Sequence, residues 1–362
     1  MNLFTMAGQP NLMQNNQQVG KIRRESFSLS EYIIFTVILI VCIVLCIALG
    51  SVNIPFKDTE LILWNHLFGL PQNDDTSVAI IISTRLPRVI CVVLVGASLS
   101  IGGGAMQGLL KNPLADGTTL GVSSGASLGA ILAIAFGVSI PGVPFAGTVG
   151  MAMLFAFASL MIILSLAYRL DYSLSTNTII LLGVIFTMFV SSIISLITTF
   201  ASERVHSITF WMMGSFSGST YTNALTLAII LLICCCFILP RARELNAFAI
   251  GEENARHIGV NVRQVKMIVM IAVSALIGVC VAMSGMIGFV GLVIPHMLRL
   301  IVGPNHKRLL PASLFGGAIF LLLVDLVART IFSPLELPIG VVTSFIGAIV
   351  FLIIFYRTRV KP

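Results

Sequence analysis

The sequence predicts an all-α, polytopic membrane protein of about ten spanning helices, and three observations predict it. Of its 362 residues, 57% are hydrophobic and 10% charged, against roughly 25% charged in ordinary soluble domains, and the mean hydropathy is +1.04. Apolar runs near the ~20 residues that cross a hydrocarbon core recur along the whole chain. Lys and Arg gather on alternate connections between those runs. One soluble core could not absorb that much apolar surface; a bilayer does.

The chain opens on a polar stretch, Met1 to Ser30, rich in Asn and Gln. It lacks the basic-then-short-apolar start of a secretory signal, and the first apolar run, Tyr32–Leu49, is too long for a signal core. The expectation is a disordered cytoplasmic tail over 1–30, with Lys21, Arg23 and Arg24 just ahead of a retained first span. Spans are expected near 32–50, 88–110, 120–137, 145–168, 177–200, 222–239, 264–284, 286–302, 309–329 and 338–356. They make one membrane unit over 31–357, with a long inner connection at 240–263 and an inner tail at 358–362. An even number of crossings puts both ends on one side. With that side cytoplasmic, only Lys57, Arg85, Arg88, Arg204 and Arg329 of the 21 Lys and Arg fall outside, which is the positive-inside bias. Topology thus accounts for the net charge of +7, and no nucleic-acid partner is needed to explain it.

The second span carries small residues at Gly96, Ser100, Gly104 and Gly108, each one i,i+4 step from the last. Such a stripe lets backbones approach where lipid gives no hydrophobic drive to associate; it serves tight packing within one subunit or a role in moving parts. Gly285, Gly288 and Gly291 crowd the turn between spans seven and eight. The seven cysteines lie in or at the ends of apolar runs, without zinc or haem spacing. They read as small buried hydrophobes, with lipidation near Cys234–Cys236 as the alternative.

Chemistry is missing from the rest. A phosphate loop needs G-x-x-x-x-G-K-[ST], and the one Gly-Lys step, Gly20-Lys21, continues into Ile22. The chain is therefore no ATPase, and it shows no nucleophile–base pair and no metal-ligand cluster. His66, His206, His257, His296 and His306 are placed at span ends or in loops, which argues against a buried histidine proton relay. One membrane acid, Asp325, sits one helical turn before Arg329. The pair neutralises itself, or Asp325 is the proton or sodium site of a secondary transporter.

Within the connection Pro240–Arg263, the run Gly251-Glu-Glu-Asn-Ala-Arg-His-Ile-Gly-Val260 reads as a short helix outside the membrane. Glu252 and Glu253 suit the positive end of its dipole, Arg256 and His257 the last turn, and Gly259 the cap. It docks on a partner or is a solvated connector; local features leave both open.

These residues, with others, resemble the FecCD-type permeases of the iron-siderophore, haem and vitamin B12 ABC importers. The blocks that carry the resemblance are Arg85-Leu-Pro-Arg88, Val95-Gly-Ala-Ser-Leu99, Gln107, Asn112-Pro-Leu-Ala-Asp116, Leu120-Gly-Val-Ser-Ser-Gly-Ala126 and Phe210-Trp-Met-Met-Gly-Ser215. They continue through Gly285-Met-Ile-Gly-Phe-Val-Gly-Leu-Val-Ile-Pro-His296, Arg299, Gly303, Asp325, Arg329 and Leu337-Pro-Ile-Gly340. Two positions depart from the family: Gly117 stands where proline is usual, and Gly347-Ala348-Ile349 where Gly-Ala-Pro is usual.

The resemblance implies a BtuC-like ten-helix fold working as a dimer, with an identical or paralogous second permease. It implies two ABC ATPase subunits that use ATP and Mg²⁺, and an extracytoplasmic binding protein. It places Gly251, Glu252, Glu253, Ala255, Arg256 and Gly259 at the ATPase contact. Arg85, Arg88 and Arg329 match the positions that receive acids of the binding protein. Helix five would line the pathway with Ser191, Ser192, Ser195, Thr198 and Thr199, unless those hydroxyls bond back to their own helix. The iron stays in its chelator, so neither cofactor nor metal ligand is expected on this chain. The cargo read from the resemblance is a ferric siderophore, with haem or vitamin B12 as alternatives.

Overall fold

A computed structural model describes residues 26–52, 54–71, 76–140, 146–172 and 174–359. Among the described residues the secondary structure is helical, with no strand and with isolated bridge residues such as the pair Phe332 and Leu335. Most of the expected N-terminal tail, through residue 25, and residues 360–362 lie outside the described residues.

All ten expected spans are helices. They are α1 (Leu29–Ala48), α3 (Leu86–Leu110), α4 (Val122–Phe136), α5 (Ala146–Leu170), α6 (Thr176–Phe200), α8 (Tyr221–Ile238), α11 (Val262–Ser284), α12 (Val290–Val302), α13 (His306–Thr330) and α14 (Ile339–Arg359). Shorter helices lie between them, α2 (Phe56–Leu67), α7 (Val205–Met212), α9 (Ala242–Phe248) and α10 (Glu252–His257); of these the sequence predicts only α10. Among the described residues, seven helices are long and apolar enough to cross a bilayer alone, while α4, α12 and the described part of α14 are shorter.

Local chemistry sets the ends. Ser28 accepts the Glu31 amide and Glu31 reaches back to the Ser28 amide, a capping box that starts α1. Residues 28–30 therefore belong to the helix and not to the tail. A π-helical stretch, Ile80–Arg85, leads into α3, with Pro87 in the first turn. The α4 start is set by Gly121 at φ 74, and that of α12 by Phe289 at φ 67, so both expected spans lose their first residues to turns.

α3 and α13 form the centre of the bundle. A Cβ on Gly96 would stand 2.4 Å from the Gly317 carbonyl oxygen, and one on Gly317 2.2 Å from that of Gly96. Ser100 faces the same seam, Gly104 meets Ser313 and Pro295, and Gly108 leaves the space that the His306 ring fills. Gly103, on another face of α3, touches Gly291 of α12. Small residues here replace the side-chain layer between helices, and dispersion between backbones takes over.

α1 lies against α13 and turns most of its apolar side chains outward. It is held by polar contacts at each end. Arg308 pairs with Glu31 at one end. At the other, Arg329 Nη2 donates to the Cys46 carbonyl at 3.0 Å and Arg85 Nη1 to those of Ile47 and Ala48 at 2.8 Å. These are the carbonyls that a helix end leaves without partners.

Candidate functional site

Three non-helical segments meet inside the bundle. Ser215 N donates to Ser284 O at 2.9 Å, Ile339 N to Gly214 O at 3.2 Å and Gly340 N to Met213 O at 2.9 Å. Unpaired backbone is costly at membrane depth, and here each break satisfies the next. A Cβ at Gly285 would stand 2.4 Å from Trp211 O, and one at Gly340 2.4 Å from Met213 O. The blocks around Trp211–Ser215, Gly285 and Leu337–Gly340 thus form one junction. Beside it lies a cavity of about 670 Å³, lined among others by Asp116, Thr118, Ser123, Met213, Ser344 and Phe345. Asp116 Oδ1 accepts from Thr118 N at 2.9 Å, Thr118 Oγ1 at 2.6 Å and Thr119 N at 3.3 Å. Burial pushes this carboxyl up, against the pull of those bonds.

α10 is built as its sequence suggests. Glu252 and Glu253 occupy its first turn, Arg256 and His257 its last. Gly251 at φ 109 and Gly259 at φ 90 bracket it, conformations that favour glycine. Ala255 is fully buried beneath it, and Val260 N returns to Ala255 O at 3.0 Å. Glu253, Arg256 and His257 point to the exterior, flanked by Ile250 and Ile258, which are 59% and 64% exposed. One face is seated and the other is open. Glu252 turns inward to Lys266, whose Nζ also reaches the Leu174 carbonyl.

On α6 the hydroxyls of Ser192, Ser195, Thr198 and Thr199 donate to carbonyls of their own helix, those of Met188, Ser191, Ile194 and Ser195, at 2.8–3.0 Å. Ser191, Ser192, Ser195 and Thr199 are nonetheless exposed. Their oxygens keep acceptor capacity on that face.

The three arginines are buried, and the i,i+4 pair of Asp325 with Arg329 is formed. Arg85, Arg88 and Arg329 are 4%, 7% and 2% exposed. Arg85 donates to the carbonyls of Ile47, Ala48 and Val52. Arg88 holds Asp325 and, at 2.7 Å, Glu336. Arg329 Nε stands 2.9 Å from Asp325 Oδ2, an ion contact whose angle falls short of a hydrogen bond. Within this chain their charge meets helix ends and Asp325, and the acid Glu336 lies over Arg88. One histidine differs from the expected placement: His296 lies inside α12, while His306 stands at the start of α13, buried against Asn246 Oδ1 at 2.8 Å.

The family model of the FecCD transport family matches residues 38–357. The chain belongs to the FecCD transport family. It is 42% identical to the uncharacterised ABC transporter permease YvrB of Bacillus subtilis (strain 168), over 93% of this chain and 96% of that one. It is 36% identical to the hemin transport permease HmuU of Yersinia pestis, over 90% and 95%. A solved structure described as an inward-facing metal-chelate type ABC transporter matches with a TM-score of 0.78 at 33% identity, covering 90% of this chain and 98% of that one. This FecCD chain is therefore a multi-pass ABC importer permease, a class that works with ATPase, substrate-binding and second permease subunits.

Sequence reasoning missed Lys266. The charge balance places it on the cytoplasmic side, and its side chain is fully buried. A signal existed: in this FecCD chain Lys266 is flanked by Val265 and Met267 and opens an apolar run.

Proposed function

We propose that two copies of this permease, or one with a paralogue, form the membrane path of an importer of ferric siderophores. The chain sits in the cytoplasmic membrane with both ends inside. Two ATPase subunits spend ATP with Mg²⁺, and an extracytoplasmic binding protein delivers the chelate; this chain holds no cofactor and catalyses no step. The observation that carries the coupling is α10, anchored through Ala255 and Glu252 while Glu253, Arg256, His257, Ile250 and Ile258 stay open. A short helix held on one face is suited to take a push on the other.

Cargo is the finer part of the proposal. Relatives are described for haem, molybdate and vitamin B12, so membership alone leaves it open. The likeness to a metal-chelate type transporter supports a ferric chelate. An ion-gradient carrier would need a free titrating acid, and Asp325 is already shared by two arginines.

The test is uptake into proteoliposomes holding the permease, its ATPase and its binding protein, with labelled ferric siderophore, haem and cobalamin compared. Siderophore uptake is expected, and it must stop with an ATPase unable to hydrolyse ATP. Uptake that survives that ATPase, or that follows an imposed proton gradient, overturns the importer reading. Preference for haem or cobalamin overturns the cargo alone.

A further inference from the structure

Lys266 lies in the second turn of α11 with its side chain fully buried. Its ammonium reaches two segments that are remote in sequence. One is Glu252 Oε2 on α10, at 2.8 Å; the other is the carbonyl of Leu174, at 2.7 Å, in the connection between α5 and α6. Leu174 is itself buried, and its amide donates to Asp171 O at 2.9 Å. Asp171 Oδ2 accepts from Ser175 N at 3.0 Å and Thr178 Oγ1 at 3.2 Å, and Ser175 caps α6. The path from ammonium to the first turn of α6 thus runs through hydrogen bonds and adjoining residues. Arg263, one turn earlier, lies over the rings of Tyr168 and Tyr172 at 4.6 and 4.2 Å and holds the other flank of the same connection.

We propose that Lys266 is a positioning residue that makes α10 and the inner end of α6 move as one body. A push on α10 is then delivered to the helix that carries Ser191, Ser192, Ser195, Thr198 and Thr199. A buried ammonium cannot give up an acceptor without being left uncompensated. Sliding of α10 past α6 is therefore opposed, while their joint displacement is not. Leu174 contributes a main-chain acceptor, so the tie grips the chain path and not a side chain free to rotate. The proposal rests on the reading of α10 as the ATPase seat.

The test uses the complex with its ATPase and binding protein in proteoliposomes. Spin labels are placed at Asn254→Cys and Asn177→Cys, both exposed, in a Cys235→Ser, Cys236→Ser background. A ferric hydroxamate serves as uptake probe. The parent should give one narrow label distance, unchanged between nucleotide-free and vanadate-trapped states. Lys266→Met should make that distance shift or broaden between the states and lower the uptake per ATP hydrolysed about tenfold, while Lys266→Arg keeps both. Should Lys266→Met fail to assemble, Glu252→Gln, which spares the Leu174 bond, is measured in the same way with the same expectation. A parent that imports while its label distance changes, or a Lys266→Met or Glu252→Gln complex with parental distances and stoichiometry, overturns this proposal and leaves the importer reading intact. A parent that binds no ATPase overturns both.

Discussion

Asp325 divides its carboxylate between two arginines. Oδ1 accepts from Arg88 Nε and Nη2 at 3.1 and 2.9 Å, and Oδ2 faces Arg329 Nε at 2.9 Å. All three side chains are buried. Without the acid, two buried guanidinium groups would have, among the described residues, Glu336 and a few carbonyls against them. Asp325→Asn is expected to cost about 3–5 kcal/mol, seen as a lower melting temperature in detergent and as lost membrane insertion. A variant of parental stability that has merely lost its response to a proton gradient would give Asp325 back to ion coupling.

Gly103 meets Gly291 so closely that a Cβ would fall 1.8 Å from the Gly291 carbonyl oxygen. The neighbour is backbone and cannot turn aside. Gly103→Ala should part α3 from α12 and lose about 1–3 kcal/mol or more. Gly150→Ala, with nothing within 4 Å of its Cβ, is the control and should be neutral or slightly stabilising, about 1 kcal/mol at most. Thermal unfolding of both in one detergent decides it; equal losses would remove the close-packing account.

Arg256 is exposed on α10 and touches no acid of this chain within the ion pairs described. Arg256→Glu should leave folding within about 0.5 kcal/mol of parent and weaken retention of the ATPase during co-purification. Ala255→Arg, at a fully buried position, should disturb α10 itself. An ATPase held as firmly by Arg256→Glu as by the parent would take Arg256 out of the contact.

Because the α6 hydroxyls already bond to their own helix, single alanines at Ser192, Ser195 or Thr199 should change stability by no more than about 0.5 kcal/mol. Uptake by those single variants should stay near parental. Replacing Ser191, Ser192, Ser195, Thr198 and Thr199 together by leucine narrows and dries that face, and the initial uptake rate should fall. A parental rate in the fivefold variant would move the path away from α6.

The ten apolar helices were legible because such a segment is announced by length and hydropathy alone. Their inner limits were less so. The break at Gly285-Met-Ile-Gly-Phe289 is as apolar as the helices around it, and its turn conformations leave no trace in hydropathy. α2 escaped because Lys57, Asp58 and Glu60 dilute its apolar residues. The short helix α10 was readable from its acids, bases and bracketing glycines, all local features. The burial of Arg88 and Lys266 was not readable, because their partners lie far along the chain, Asp325 for Arg88 and Leu174 for Lys266, whereas the pairing of Arg329 with Asp325, one helical turn away, was. Counting charge by topology treats a cation near a span end as solvated, and only the folded chain shows which are not.

The tethers on α1 bear on how the molecule is made. During synthesis α1 precedes its partners: Arg308 and Arg329, which grip Glu31 and the Cys46 carbonyl, emerge 277 and 283 residues later. Until α13 is synthesised, the tip of α1 has the bonds from Arg85 and its packing against α3. The first helix must therefore wait as a loosely moored spar, and the last long helices close the bundle by fastening it at both ends.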